Sequence, residues 1–274
     1  LSTDAANFFG YSSASDVAQN QITSVREQYE YDWMNWPAAW GAPYEDVDND
    51  GSYDPATDIP GEAGADQTVW IIANDVPTIV SDGSDGNTLG DFLDYQSTAQ
   101  NLYGSDPIGI ELQITMWAYA SESEKPLGNT VFKRAKLIYT GLPNAPETSE
   151  LDTLYIAQWS DPDLGISTDD YVGYDTDLSL GYVYNGNNFD DVYNGVHSLQ
   201  VPAAGFDLLR GPLDNLDTDN DGDTTDHLGI TSFTYFGAGS SISDPDFAYS
   251  GSLQLFNLME GFLPRPEYPI QIPW

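Results

Sequence analysis

Two segments of this sequence carry the same oxygen-rich spacing. Asp46 to Asp58 reads DVDNDGSYDPATD and Asp217 to Asp226 reads DTDNDGDTTD, each containing D-x-D-x-D-G. In a loop that wraps a hard cation, alternate positions supply side-chain oxygens and a glycine at the sixth permits the sharp turn. The seventh position then offers its carbonyl, and later acids complete the shell. Asp46, Asp48, Asp50 and Asp217, Asp219, Asp221 fill the first three places, with Gly51 and Gly222 at the turns and Ser52 at the seventh position of the first loop. Asp54 and Asp58 follow as later ligands in one loop, Asp223 and Asp226 in the other. Composition alone predicts about 0.04 such matches along the chain, and two occur. The twelfth positions, Thr57 and Leu228, depart from the bidentate Glu of a helix–loop–helix sensor. The spacing therefore predicts two calcium loops of the extracellular kind, because carboxylates packed this densely repel one another unless a cation sits between them.

A third acidic run, WSDPDLGISTDDYVGYDTD, places Asp161 and Asp163 around Pro162, then Asp169 and Asp170, then Asp175 after a strand-like YVGY. A metal clasp between two loops is one reading of these five residues. Turn-capping aspartates are the other, since Asp side chains readily accept nearby backbone N–H groups. Trp33, Trp36 and Trp40, with Tyr29, Tyr31, Tyr44 and Tyr53, form an aromatic group that reads either as core beneath a long loop or as a stacking platform for sugar rings.

Recognisable catalytic arrangements are missing. The chain has no G-x-S-x-G, H-E-x-x-H or G-x-x-x-x-G-K-[ST], and His197 and His227 are its only imidazoles. A polysaccharide hydrolase needs just two carboxylates, Glu111 and Glu260 among the candidates, but nothing in the sequence selects a pair.

The elements that must position these groups are mostly strands. Gln67 to Asn74 reads as a buried strand. Ile108 to Ala120 alternates Ile108, Ile110, Leu112, Ile114 and Met116 on one face with Glu111, Gln113 and Thr115 on the other, Glu111 reading as an outward residue. Asn129 to Thr140, Leu151 to Trp159, Tyr171 to Tyr184 and Ile230 to Phe236 follow, with short helices at Ser15 to Glu30 and Leu253 to Phe262. The expected fold is mainly all-β, a β-sandwich or jelly-roll-like domain with long Asp/Gly-rich calcium-binding loops and little helix. Residues 1–45 are expected to be a polar and aromatic arm or short helix packed on the core, 46–262 the calcium-stabilised β domain, and 263–274 a Pro-rich tail.

Composition bounds the partners. Of 274 residues, 44 are acidic and 7 are Lys or Arg, a formal charge of −37, and no cysteine is present. Such a chain cannot build the cationic face that nucleic acid or an anionic membrane surface requires. No run approaches the ~20 apolar residues of a membrane span. Leu1 to Asn20 lacks the charged and apolar regions of a secretory leader, which reads as a mature or trimmed product. Without cysteine, disulfides and thiolate chemistry are excluded, so metal is the available staple. The acids comprise 33 Asp and 11 Glu, a bias toward turns, caps and oxygen chelation rather than helix interiors.

The order of segments GAPYEDVDNDGSYDPATDIPG, ADQTVWIIANDV, GSDPIGIELQITMWAY, LGNTVFKRAKLI, DTLYIAQWSDPDLG, DDYVGYDTDLSLGYVYN and LQLFNLMEGF resembles a family of uncharacterised secreted surface proteins. These occur in Bacteroidota, Ignavibacteria and related bacteria, often as large chains ending in a type IX secretion sorting domain, which this sequence does not carry. The resemblance spans Trp36 to Phe262 and implies an extracellular location, β-rich structure and calcium. The resulting expectation is a non-enzymatic calcium-binding structural protein, extracellular or at the cell surface. It would build a surface layer, matrix or filament by contact with other copies of itself or with surface polymers, glycan among them. A carbohydrate-binding module is the alternative.

Overall fold

A computed structural model of the chain describes residues 1–75, 107–121, 123–142, 145–146, 148–213, 222, 226–237, 242–246 and 248–264. The described residues up to 149 form one compact unit and those from 150 onward a second, a division that runs through the span 46–262 read from sequence as one domain. Strands are all antiparallel, arranged in three small sheets, and helix accounts for 25% against 23% strand. The expectation of little helix is therefore corrected. No described helix is long and apolar enough to cross a membrane.

The first unit opens with helix α1 (Ser2–Phe9), whose amino-terminal charge pairs with Asp4 at 3.1 Å and which stops at Gly10 in the left-handed region, φ 74°. Helix α2 (Gln19–Met34) begins where the Ala18 N–H donates to Gln21 Oε1 at 3.1 Å, half of a capping box. It ends before Pro37, whose ring disfavours helical backbone at the preceding residue. Ala5, Ala6, Val17 and Val25 are buried between these elements, with Ala14 and Ile22 packed against them. The anticipated single short helix is thus a two-helix cluster with its own small core.

A two-residue ribbon, β1 (Tyr44–Glu45) with β2 (Ile59–Pro60), follows, and then a sheet of β3 (Gln67–Asn74), β4 (Ile110–Ala118) and β5 (Val131–Tyr139) in the order β3-β4-β5. A one-turn helix α3 (Lys125–Gly128) joins the last two strands. Aspartates clamp the β3–β4 pair at both ends. Asp75 accepts from the N–H groups of Ile108 and Ile110 at 2.6 and 2.9 Å, and Asp66 from Ala120 at 2.7 Å.

The alternation of β4 is present, and its polar face is the more buried one. Gln113 and Thr115 are buried, at 7% and 5% exposure, whereas Ile110, Leu112, Ile114 and Met116 are half-buried. The cause is the Trp36–Gly41 segment, which packs on the polar face. Gln113 Nε2 donates to the Trp40 carbonyl at 3.1 Å, and Gly41, φ 105°, approaches Gln113 so closely that a Cβ there would lie 2.6 Å from Oε1. Along β5, Arg134 forks onto Glu62 at 2.6 and 3.1 Å and sits 5.4 Å over the Trp117 ring.

The second unit carries the sheet β6 (Asp170–Asp175), β7 (Leu180–Asn185) and β8 (Ala203–Asp207), in that order, and helix α4 (Tyr249–Met259). The single strand expected over 171–184 is a hairpin. Leu151 to Trp159 and Ile230 to Phe236 form no strand; Thr153 breaks the first by taking φ 57°, and side-chain contacts tie both segments to their unit. Tyr155 packs edge-on to Phe256 of α4 at 5.3 Å and donates its hydroxyl to Glu260, while Phe233 stacks on Tyr174 at 4.8 Å.

Candidate metal centre

The loop from Asp46 to Asp58 is pinched at its base by the β1–β2 ribbon, in which Glu45 faces Ile59 and Tyr44 faces Pro60. Inside it, Asn49 (φ 60°) and Gly51 (φ 81°) take left-handed conformations, which reverse the chain and turn successive carboxylates inward. Asp46 accepts the Asp50 N–H at 3.1 Å on one oxygen and the Gly51 N–H at 2.8 Å on the other. Asp48 also receives Asp50 N–H, at 3.3 Å, and Asp50 receives Ser52 N–H at 2.7 Å. The outcome is a cluster in which one carboxylate oxygen from each of Asp46, Asp48 and Asp50 lies within 4.8 Å of the others. This is the spacing of oxygens that share one hard cation.

Among the described residues, the amino terminus pairs with Asp4 and Arg134 with Glu62, and neither pair lies at this loop. Partial desolvation raises the Asp48 carboxyl above its ordinary range, and the charges of Asp50, Asp58 and Asp46 raise it further, against the hydrogen bond from Asp50 N–H. Tyr44 is raised by desolvation and then by Asp46, Asp58, Asp50 and Asp48, so its phenol stays protonated beside the acids.

Asp54 and Asp58 take different places from the first three. Asp58 is 2% exposed, the largest fully buried side chain described, and its oxygens accept Val47 N–H at 3.0 Å and Asp54 N–H at 2.8 Å. Asp54 accepts Ala56 N–H at 2.9 Å. These two acids fold the loop around the cluster of three. The loop is also latched to the end of α2: Tyr53 donates its hydroxyl to the Trp33 carbonyl at 2.6 Å, and the Trp33 indole donates to the Pro55 carbonyl at 3.0 Å. The Trp36 indole donates to the Pro43 carbonyl at 2.7 Å. Of the three tryptophans considered as a sugar platform, Trp33 thus anchors the loop and Trp36 the chain just before it. The sequence signal for this latch is Tyr53, set among the loop's own acids in DGSYDP.

Of the second loop, Asp217, Asp219, Asp221 and Asp223 lie outside the described residues. Gly222 has φ 97°, as its turn position requires. Leu213 bridges antiparallel to His227. His227 contacts the Gly211 carbonyl through Nδ1 at 2.9 Å.

The third acidic run is not gathered into a metal-sized group; among the described residues Asp46, Asp48 and Asp50 form the one such group. Asp161 and Asp163 are exposed. Asp169 accepts from Asn187 Nδ2, Asp170 from Leu164 N–H at 2.9 Å, and Asp175 from Asp177 and Leu178 N–H at 3.0 and 3.1 Å in the hairpin turn. The structuring acid that sequence reasoning missed is Asp190. It is buried and accepts N–H groups from Ile166, Val192 and Tyr193, each at 2.8 Å.

No family model matches the chain, and neither a curated protein nor a solved structure matches it.

Proposed function

We propose that this protein is a non-enzymatic, calcium-stabilised extracellular building block of a surface layer, matrix or filament. The observation that carries the reading is the convergence of Asp46, Asp48 and Asp50 in a loop that supplies them with backbone donors. Calcium is the cation of choice, because the donors are all oxygen and further carboxylate and carbonyl oxygens lie along the same loop. Ser52 offers its carbonyl to the same shell. A chain of charge −37 without cysteine has the most to gain from such ions, which staple loops and lower the self-repulsion that opposes close packing of copies. A sandwich or jelly-roll-like arrangement is part of the same proposal, supported by the antiparallel three-stranded sheets, the kind of layer from which sandwiches are built.

Calorimetric titration of calcium into metal-stripped protein tests this. Saturable uptake that weakens in Asp48→Asn and Asp50→Asn supports it; a heat-silent titration, or uptake unchanged in both variants, overturns it.

A further inference from the structure

The outward face of the β6–β7–β8 sheet alternates tyrosine with glycine. Across the three strands Gly173, Tyr182 and Gly205 stand opposite one another, and the next row is Tyr171, Tyr184 and Ala203. Directly opposed residues of antiparallel strands share a face. Strand β7 shows which face is outward: Gly181, Val183 and Asn185 are buried, while Tyr182 and Tyr184 are exposed. Tyr171, Tyr182 and Tyr184 keep 59%, 36% and 44% of their surface. On a solvent-facing sheet such positions ordinarily hold charged or small polar side chains.

Glycine decides how these rings lie. A Cβ on Gly173 would lie 2.4 Å from the Tyr182 ring, and one on Gly186 2.4 Å from the Tyr171 ring. Each ring therefore occupies space that only glycine leaves free. Ring centroids of Tyr171 and Tyr184 are 6.0 Å apart with planes 28° apart, and those of Tyr182 and Tyr184 are 6.0 Å apart at 36°. The three rings are mutual neighbours on the exposed face, Tyr184 in contact with both of the others. Beyond them, the row of Asp175, Leu180 and Asp207 adds carboxylates, that of Asp207 exposed.

We propose that this group of rings is a stacking platform for a neutral polysaccharide, with flat pyranose faces on the tyrosines and sugar hydroxyls donating to the phenol oxygens and Asp207. Charge selects among ligands that stack. A protein of charge −37 repels nucleic acids and anionic glycans, whereas a neutral polyol meets no repulsion and finds acceptors at the rim. The competing account, in which the rings merely shield sheet glycines, requires no ligand. This inference does not rest on the calcium loop.

Native affinity electrophoresis of the full chain in gels containing hydroxyethyl cellulose, xylan or galactomannan, with polygalacturonate as the anionic comparison, tests it. Retardation by at least one neutral polymer and not by polygalacturonate is the expected result. Tyr182→Ala and Tyr184→Ala should each weaken retention by about tenfold or more, the loss expected for a central aromatic anchor. Tyr182→Phe, which keeps the ring and its packing on Gly173, should retain most binding. Migration unaffected by every neutral polymer, or retardation that survives the Tyr182→Ala/Tyr184→Ala double variant, overturns the proposal. The comparison of Tyr182→Phe with Tyr182→Ala at equal thermal stability separates loss of the platform from loss of the fold.

Discussion

Asp58 Oδ1 accepts the Val47 N–H at 3.0 Å, tying the last acid of the first loop to the residue that follows its first ligand, eleven positions earlier. The bond closes the loop from within, while the second oxygen holds Asp54 N–H. Pattern matching assigns Asp58 to the metal; its burial and its donors make it the frame that holds the metal's ligands in place.

Replacing Asp58 should therefore harm the empty protein. Asp58→Ala leaves two partly buried N–H groups without their acceptor, and urea unfolding in EDTA should show a loss of about 1–3 kcal/mol. Asp58→Asn turns one acceptor into a donor facing an N–H and should lose part of that. Stability equal to the parent in both variants would mean that the carboxylate does not frame the loop.

Gly165 illustrates the same dependence in the second unit. Its φ is 86°, and a Cβ would collide with the Asp190 carboxylate. Gly165→Ala should destabilise by about 2–3 kcal/mol, combining strain at positive φ with displacement of a buried acceptor. Thermal unfolding checks this, with Gly195→Ala, where a Cβ meets nothing within 4 Å, as the mild comparison.

Asp190 also sets a pH dependence. Hydrogen bonds from Tyr193, Ile166 and Val192 hold its carboxyl below the ordinary 3.8, against a partial desolvation that raises it. With its folded value depressed, Asp190 stabilises the protein fully above pH 3.8, and that contribution disappears as pH falls through the lower folded value. Acid unfolding of Asp190→Asn should accordingly lose its sensitivity in this window, while the parent keeps it. Parallel acid-unfolding curves for the two proteins would contradict the assignment.

What the sequence made legible was set by how local the controlling interaction is. The strands at Gln67 to Asn74 and Asn129 to Thr140 and the alternation of β4 follow from side-chain period alone, and the structure places strands there with small shifts at the ends. Period identifies two faces of β4 but not which one is covered. That choice comes from Trp40 and Gly41, more than seventy positions away from Gln113. The Leu151 to Trp159 segment has strand-like residues yet no ladder: Thr153 breaks it by taking φ 57°, and Tyr155 packs against α4, over a hundred positions on. Asp46, Asp48 and Asp50 were legible because a single left-handed turn brings near neighbours together. Asp190 was not, since the Ile166 N–H that it accepts lies twenty-four positions upstream.

Thermal unfolding with calcium or EDTA at fixed ionic strength tests the central claim most directly. Saturation to about a hundred times Kd should add about 2.7 kcal/mol per ion, which for this chain length raises Tm by about 5–10 °C at the usual 2–4 °C per kcal/mol. The increase should vanish in Asp48→Asn/Asp50→Asn if this loop is its source. Superimposable melting curves in calcium and EDTA would contradict the account of how the protein is held rigid.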